Sequence, residues 1–423
     1  MVPLLGHLTR NQSATIQYPM AEHFIIVGGG QSAAQAAATL RQKNFAGRIT
    51  IVGEEPHLPY QRPPLSKKFL ARELEADRLF IRPENFYTAA EVELRLGVRV
   101  EELDVDKKRV LLDDDSRLDF DGLLLATGSR VRKLDVPGRD LDGIHYLRTC
   151  DDSQAIAADL GPGKRLVIVG AGYIGLEVAA VAVSLGAEVL VLEAADRVMS
   201  RVVCPEVSAF YETRHRAAGV DIRYGATVVA LHGDGAVDAV EIDSGESFSC
   251  DVVVAGIGID PRTELAADSG LDIDNGIVVD EFARTKINNV LAAGDCTSHP
   301  SAHAGRNVRL ESVHNAIEQA KTAASVFVGE KVAYAQVPWF WSDQYDIKLQ
   351  IAGLSGDHDN VVLRGDPDSG QFAACYLRNG LLSAVDAINS PRDFIGGKRL
   401  IEARSRVDAN RLADASVNLA DLV

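Results

Sequence analysis

Phe24-Ile-Ile-Val-Gly-Gly-Gly-Gln-Ser-Ala33 and Arg165-Leu-Val-Ile-Val-Gly-Ala-Gly-Tyr-Ile-Gly175 decide how this chain is read. Each is an apolar run of strand length that ends in G-x-G-x-x-G/A and passes straight into an Ala/Leu/Val-rich stretch. In a dinucleotide-binding unit the first glycine makes the tight turn, and the second lets the backbone approach a pyrophosphate. The third position lets helix and strand pack closely, with the phosphates at the helix N-terminus. These positions are Gly28, Gly30 and Ala33 in the first motif and Gly170, Gly172 and Gly175 in the second. A lone motif is weak evidence, because glycine turns end many strands for structural reasons alone. Two in strand–turn–helix context predict two dinucleotides, and the usual pair is a flavin and a nicotinamide.

Working outward, one theme is written twice. The strand at 24–28 and a helix over 31–43 lead to a second strand, Arg48-Ile-Thr-Ile-Val-Gly53, and later to Leu123-Leu-Leu-Ala-Thr-Gly-Ser129. The strand at 165–170 leads to a helix over 174–186, to Glu188-Val-Leu-Val-Leu192 and to Val252-Val-Val-Ala-Gly-Ile-Gly258. Such alternation predicts right-handed crossovers and parallel sheets. Gly276–Asp280, Asn289–Cys296 and a helical pattern from Glu311 to Val328 follow. From residue 334 the texture changes. Trp339, Phe340, Trp341 and Tyr345 cluster, and short strand-like runs alternate with turns, which marks a terminal α+β domain.

At 423 residues the chain holds two or three domains, and 46% hydrophobic with 25% charged residues is ordinary for a globular protein. A net charge of −16 argues against nucleic acid or an anionic membrane surface as partner. No apolar run reaches the roughly 18–20 residues that span a bilayer. The five cysteines, Cys150, Cys204, Cys250, Cys296 and Cys375, are scattered without metal-like spacing, which fits a reducing cytoplasm and no metal site. Residues 1–21 lack a signal pattern and read as an irregular extension.

Glu54 lies just past the second strand of the first unit, where an acid accepts from ribose hydroxyls, and neighbouring Glu55 is able to share the task. Glu193 sits 18 residues after Gly175, the matching place in the second unit. A carboxylate there repels a 2′-phosphate and favours NADH, although Arg197 and Arg201 follow and are able to accept one.

The ordered segments Pro59–Lys67, Leu125–Gly128, Gly170–Glu177, Ala255–Gly258, Gly294–Cys296, Arg309–Asn315 and Pro338–Gln344 resemble those of the FAD-dependent ferredoxin reductases of bacterial oxygenase systems. The resemblance runs from about residue 23 to at least 400. It implies a glutathione reductase-like fold with two Rossmann-like domains and a C-terminal α+β domain. The FAD domain would be split over 1–129 and 256–333, with an NAD domain at 130–255 and the terminal domain at 334–423. It also implies FAD contacts for Ser32, Val100, Arg148 and Val313, and an Asp295 that holds the ribityl chain. Lys67 would stand beside the isoalloxazine ring, and Glu177 would pair with it where flavin and nicotinamide meet. Ile174 and Gly258 belong to the same cofactor-binding set. Trp341 would lie near the flavin, where a one-electron acceptor approaches, although it equally suits a core aromatic. His314 suits a structural role.

The activity so implied is hydride transfer from NADH to FAD, then single-electron transfer to a 2Fe-2S ferredoxin that feeds a cytochrome P-450 type monooxygenase. Service to a Rieske-type dioxygenase is the alternative. An NAD(H)-binding redox sensor resembling apoptosis-inducing factor is the rival of another class. Disulfide reductases of this fold need a cysteine pair near the start of the first unit, and residues 1–149 contain no cysteine. An acidic ferredoxin would need a local basic patch, for which Lys321, Arg392, Lys398 and Arg399 are the candidates. A monomer or weak dimer is expected.

Overall fold

Residues 22–422 are described by the computed structural model, so the expectation for 1–21 lies outside the described residues. Strand His23–Val27 is buried at every position. A strand apolar throughout needs cover on both faces, which a parallel sheet with crossover helices supplies. It pairs in parallel with Arg48–Gly53 on one side and Gly122–Leu125 on the other. Val92–Leu96 and Val290–Ala292 complete a five-stranded sheet.

The second sheet repeats the plan. Arg165–Val169 lies between Glu188–Glu193 and Val252–Ala255, with Asp221–Tyr224 and Ile144–His145 at the edges, all parallel. In both sheets the motif strand stands where the strand order reverses, so a crevice opens beyond its carboxyl end at the glycine turn.

Small residues set the packing of the first unit. Helix Gln31–Gln42 buries Ala33, Ala34, Ala36, Ala37 and Ala38. It lies against helix Val313–Phe327, whose buried face includes Ala316, Ala320, Ala323 and Ala324. Phe327 ends that helix with its ring centroid 4.3 Å from that of Phe24. A Cβ on Gly122 would lie 2.0 Å from the Phe327 ring, so the sheet needs glycine at that point.

Each unit also carries a three-stranded antiparallel sheet, inserted before Gly122–Leu125 in the first and before Val252–Ala255 in the second, which the sequence patterns did not locate. The first is Val100–Asp104, Arg109–Leu112 and Arg117–Asp119, and the second is Val228–Asp234, Ala236–Ile242 and Ser247–Ser249. The chain passes between the units through a two-stranded ribbon, Ser129–Val131 paired with Ile259–Pro261. Trp339–Gln344 is not an isolated aromatic cluster but the edge strand of a five-stranded antiparallel sheet. Ile347–Gly353, Leu381–Ile388, Gln371–Arg378 and Asn360–Asp366 follow it in spatial order. Helix Pro391–Ala403 packs on this sheet. The fold is therefore α/β, with two Rossmann-like units and a C-terminal α+β domain.

Candidate active site

Both glycine turns open into one cleft of about 2100 Å3, well above the ~300–1,000 Å3 of a pocket for one small ligand. Its wall includes Gly28, Gly30, Ser32, Glu54, Lys67, Val100, Arg148, Gly170, Gly172, Ile174, Gly175, Glu177, Glu193, Gly258, Asp295, Val313 and Trp341. Of the glycine-motif positions, only Ala33 is not on that wall. It is fully buried at the helix–strand contact, the place the third motif position serves.

The glycines divide by role. At Gly28, φ is +119° and a Cβ would meet the Ala126 carbonyl oxygen at 2.1 Å. At Gly175 a Cβ would lie 2.2 Å from the Gly170 carbonyl oxygen. Gly30 and Gly172 differ: their φ values are −103° and −78°, and a Cβ on either would meet nothing within 4 Å. Nothing in the protein requires glycine there, so the space spared is the cleft itself. Each residue precedes a twelve-residue helix that has no side-chain cap. Unpaired first-turn amides and the positive end of the helix dipole suit a phosphate. The residues thus fit two dinucleotides.

In the first unit the two acids part company. Both lie on the cleft wall, but Glu55 is engaged by Arg62 at 2.7 Å and by the Tyr60 hydroxyl, while Glu54 pairs with Arg262. Across the cleft Arg148 Nη2 lies 3.4 Å from Asp295 Oδ2, which also accepts from Ser129 Oγ at 3.1 Å. Arg62 Nη1 donates to the Arg148 carbonyl at 2.5 Å. Arg148 Nε is buried without a partner among the described residues. Burial, with Arg62 beside it, lowers the Arg148 pKa from its ordinary value. An uncompensated donor of this kind favours a ligand oxygen. Ser32 Oγ donates to the Ala316 carbonyl at 3.1 Å, tying the first motif helix to the helix that carries Val313.

Where the units meet, Lys67 Nζ lies 2.6 Å from Glu177 Oε2. Lys67 follows the proline-stiffened turn Pro63–Ser66, and Glu177 is on helix Tyr173–Ser184. Glu177 is buried and also accepts from Ser66 Oγ and, at 2.6 Å, from Ser342 Oγ. A carboxylate of the second unit therefore gathers donors from the first unit and from the C-terminal domain, joining all three parts of the fold. Sequence reasoning missed both serines. Ser66 adjoins Lys67, and Ser342 lies within the Pro338–Gln344 segment, so proximity to named residues was the available signal.

Trp341 stands on the cleft wall in a run of rings: its centroid is 5.4 Å from Trp339, and Phe340 is 4.9 Å from Tyr173. His314 stacks 5.7 Å from Trp339, and burial first, then Lys398, push its pKa down to about 4. Its imidazole is therefore neutral near pH 7. In the second unit Glu193 Oε2 accepts from the Ala171 amide at 2.6 Å and Oε1 from the Ala195 amide at 2.9 Å. The carboxylate is thereby fixed against the glycine turn. Arg197 is turned away onto the carbonyls of Val203 and Ser200, at 2.9 and 2.7 Å, while Arg201 remains on the wall.

No thiol lines the cleft, and all five cysteines are buried and unpaired. His57, Cys150 and Asp151 bring three possible metal-ligand atoms within 4.8 Å of one another. His57 already pairs with Asp151 at 3.0 Å, and burial raises the Cys150 thiol to about 11, so it keeps its proton. No helix among the described residues is long and apolar enough to cross a membrane. On the outer surface Lys321 pairs with Glu318 at 2.8 Å. Arg392 and Arg399 are exposed on helix Pro391–Ala403, beside Ile395 at 52% exposure.

Comparison with known proteins agrees with this geometry. Residues 22–320 match the family described as pyridine nucleotide-disulphide oxidoreductase, and residues 339–423 match the one described as reductase C-terminal. A ferredoxin–NAD(P)(+) reductase of Sphingomonas sp is 43% identical over 387 residues, covering 91% of this chain and 94% of the relative. Putidaredoxin reductase, in its covalent complex with putidaredoxin, superposes with a TM-score of 0.92 at 40% identity, over 95% of this chain and 98% of that one. The ferredoxin reductase for the CYP199A2 system from Rhodopseudomonas palustris gives 0.92 at 39%, over 95% and 99%.

Proposed function

Because the chain belongs to the pyridine nucleotide-disulphide oxidoreductase family and carries its reductase C-terminal domain, we propose that it is an NADH-dependent, FAD-containing ferredoxin reductase. The observation that carries this is the Lys67–Glu177 pair, set between two glycine turns in a cleft without a thiol. A cysteine-free cleft serves no disulfide exchange, so the chemistry falls to the cofactors. FAD, when bound, accepts a hydride from NADH and gives up electrons one at a time.

The chain's own part is binding, orientation and electrostatics. Gly28, Gly30 and the helix after them, with Ser32, Glu54, Val100, Arg148, Asp295 and Val313, hold the flavin dinucleotide. Gly170, Gly172, Ile174, Gly175, Glu193 and Gly258 hold NADH. Lys67 presents a cation that favours a reduced, anionic flavin, and Glu177 keeps the ammonium in place. Glu193 turns away the 2′-phosphate of NADPH. Trp341 marks the approach of the electron acceptor.

The acceptor proposed is a 2Fe-2S ferredoxin that feeds a cytochrome P-450 type monooxygenase. Likeness to putidaredoxin reductase and to the CYP199A2-system reductase supports that choice, and service to a Rieske-type dioxygenase stays the alternative, since the reductase component of the anthranilate 1,2-dioxygenase system of Burkholderia cepacia is 41% identical. For docking, Arg392, Lys398 and Arg399 surround exposed Ile395, and Lys321 and Lys398 both act electrostatically on His314 beside Trp339. These cations, next to an exposed apolar side chain on a chain otherwise acidic, support a docking surface for an acidic ferredoxin there. A monomer or weak dimer in the cytoplasm completes the proposal. Steady-state turnover with NADH, NADPH and a 2Fe-2S ferredoxin tests it: NADH-specific, ferredoxin-dependent turnover is expected, and indifference to the ferredoxin would refute it.

A further inference from the structure

Glu177 is the end point of a longer series of contacts. Ser342 Oγ, which donates to Glu177 Oε1 at 2.6 Å, itself accepts from Gln344 Nε2 at 3.2 Å. Gln344 Oε1 lies 2.8 Å from His215 Nε2, and His215 Nδ1 lies 3.0 Å from the Tyr345 hydroxyl. Ser342, Gln344 and His215 are all buried, and only Tyr345, 39% exposed, reaches solvent.

The donors of this series all point one way. Burial lowers the His215 pKa, so the ring is neutral and has one N–H. Because Gln344 Oε1 can only accept, that proton is on Nε2, which leaves Nδ1 to accept from Tyr345. The Gln344 amide is then oriented with Nε2 toward Ser342, whose own proton is free for the carboxylate. A run of aligned donors ending on a buried anion strengthens each link, most of all the charge-assisted last one.

Tyr345 supplies an independent sign. It occupies the two-residue turn between Gln344 and Ile347 with φ of +56°, where glycine or asparagine is the ordinary choice. A tyrosine at such a position is backbone strain of the kind kept where a side chain is needed. Its ring also packs on His215, with centroids 5.0 Å apart.

We propose that Tyr345, His215, Gln344 and Ser342 form a one-way donor chain that fixes the Glu177 carboxylate, and through it Lys67, which makes His215 and Gln344 positioning residues for the reaction. None of these four lines the cleft. The inference rests on the reductase function proposed above for the Lys67–Glu177 pair.

The test uses holoenzyme carrying Ser342→Ala, Gln344→Leu, His215→Phe, Tyr345→Phe or His215→Gln. Stopped-flow reduction by NADH should slow about tenfold in Ser342→Ala, the loss of one charge-assisted hydrogen bond. It should slow several-fold in Gln344→Leu and His215→Phe, with the Kd for NADH unchanged. His215→Gln, whose amide N–H replaces Nε2–H, should recover most of the rate. The flavin midpoint potential, measured by dithionite titration without NADH, should fall in the same order. Imidazole 15N spectra should show His215 as the neutral Nε2–H tautomer at pH 7, with the tautomer preference weakened in Tyr345→Phe. Wild-type rates and potentials in both Gln344→Leu and His215→Phe, at full FAD content, would overturn the proposal, as would an Nδ1–H tautomer. Should a buried variant fail to fold, Tyr345→Phe and the wild-type tautomer decide. A wild-type protein that NADH does not reduce would remove the reductase function instead, while potentials and tautomer still judge the chain.

Discussion

The Lys67 ammonium and the Glu177 carboxylate meet at 2.6 Å across the boundary between the two dinucleotide units, with the Glu177 side chain 1% exposed and that of Lys67 17%. Each needs the other, since a buried charge without a partner costs far more than the pair gains. Glu177→Gln keeps acceptors and donors for Ser66 and Ser342 but leaves Lys67 without its counter-charge. The expected result is flavin reduction by NADH slowed about tenfold or more, at unchanged FAD content, checked by stopped-flow absorbance.

Cofactor choice should follow Glu193. Glu193→Gln removes the charge and keeps an oxygen for the Ala171 or Ala195 amide. With Arg201 on the cleft wall, the kcat/KM ratio of NADH to NADPH should fall about tenfold or more, mostly through a lower KM for NADPH. An unchanged ratio would place the discrimination elsewhere.

Asp386 gives a pH signature. It is fully buried, it accepts from the Tyr376 hydroxyl, and burial raises its pKa from 3.8 to about 7. The folded chain binds a proton that the unfolded chain has released between those values. Its stabilisation is therefore complete below about 3.8 and lost as pH rises through about 7. Asp386→Asn should raise the unfolding free energy more at pH 8 than at pH 5, by a difference on the order of a few kcal/mol. Equal gains at both pH values would show that the carboxyl is ionised throughout.

Gly122→Ala should destabilise the first unit by about 1–3 kcal/mol, because the new methyl group meets Phe327. Phe327→Leu added to it should recover part of that loss in a thermal double-mutant cycle.

Lys321→Glu should raise the KM for ferredoxin several-fold at low salt and leave NADH–ferricyanide activity intact, with Arg392→Glu acting alike. Unchanged ferredoxin kinetics in both would move the docking surface elsewhere.

The parallel sheets were legible because strands buried on both faces, such as Phe24–Val27 and Leu166–Val169, read as unbroken apolar runs ending in glycine. The antiparallel sheets were not. Val100-Glu-Glu-Leu-Asp104 and Ser247-Phe-Ser249 are short, half exposed and rich in charge or serine, so no period stands out. The acids were placed by spacing alone, but which partner each takes was hidden. Glu55 is drawn off by Arg62, and Arg197 by backbone carbonyls, through contacts that only the folded chain creates. The His215–Gln344–Ser342 series joins residues from two domains, and no local pattern encodes it.

The measurement that bears most directly on the central claim is stopped-flow spectroscopy of the holoenzyme with NADH, then with a 2Fe-2S ferredoxin. Rapid bleaching of the flavin by NADH but not NADPH, followed by fast reoxidation that requires the ferredoxin, is the expected result. Slow bleaching to a long-lived charge-transfer complex, with no response to ferredoxin, would contradict it and point to a redox-sensing role.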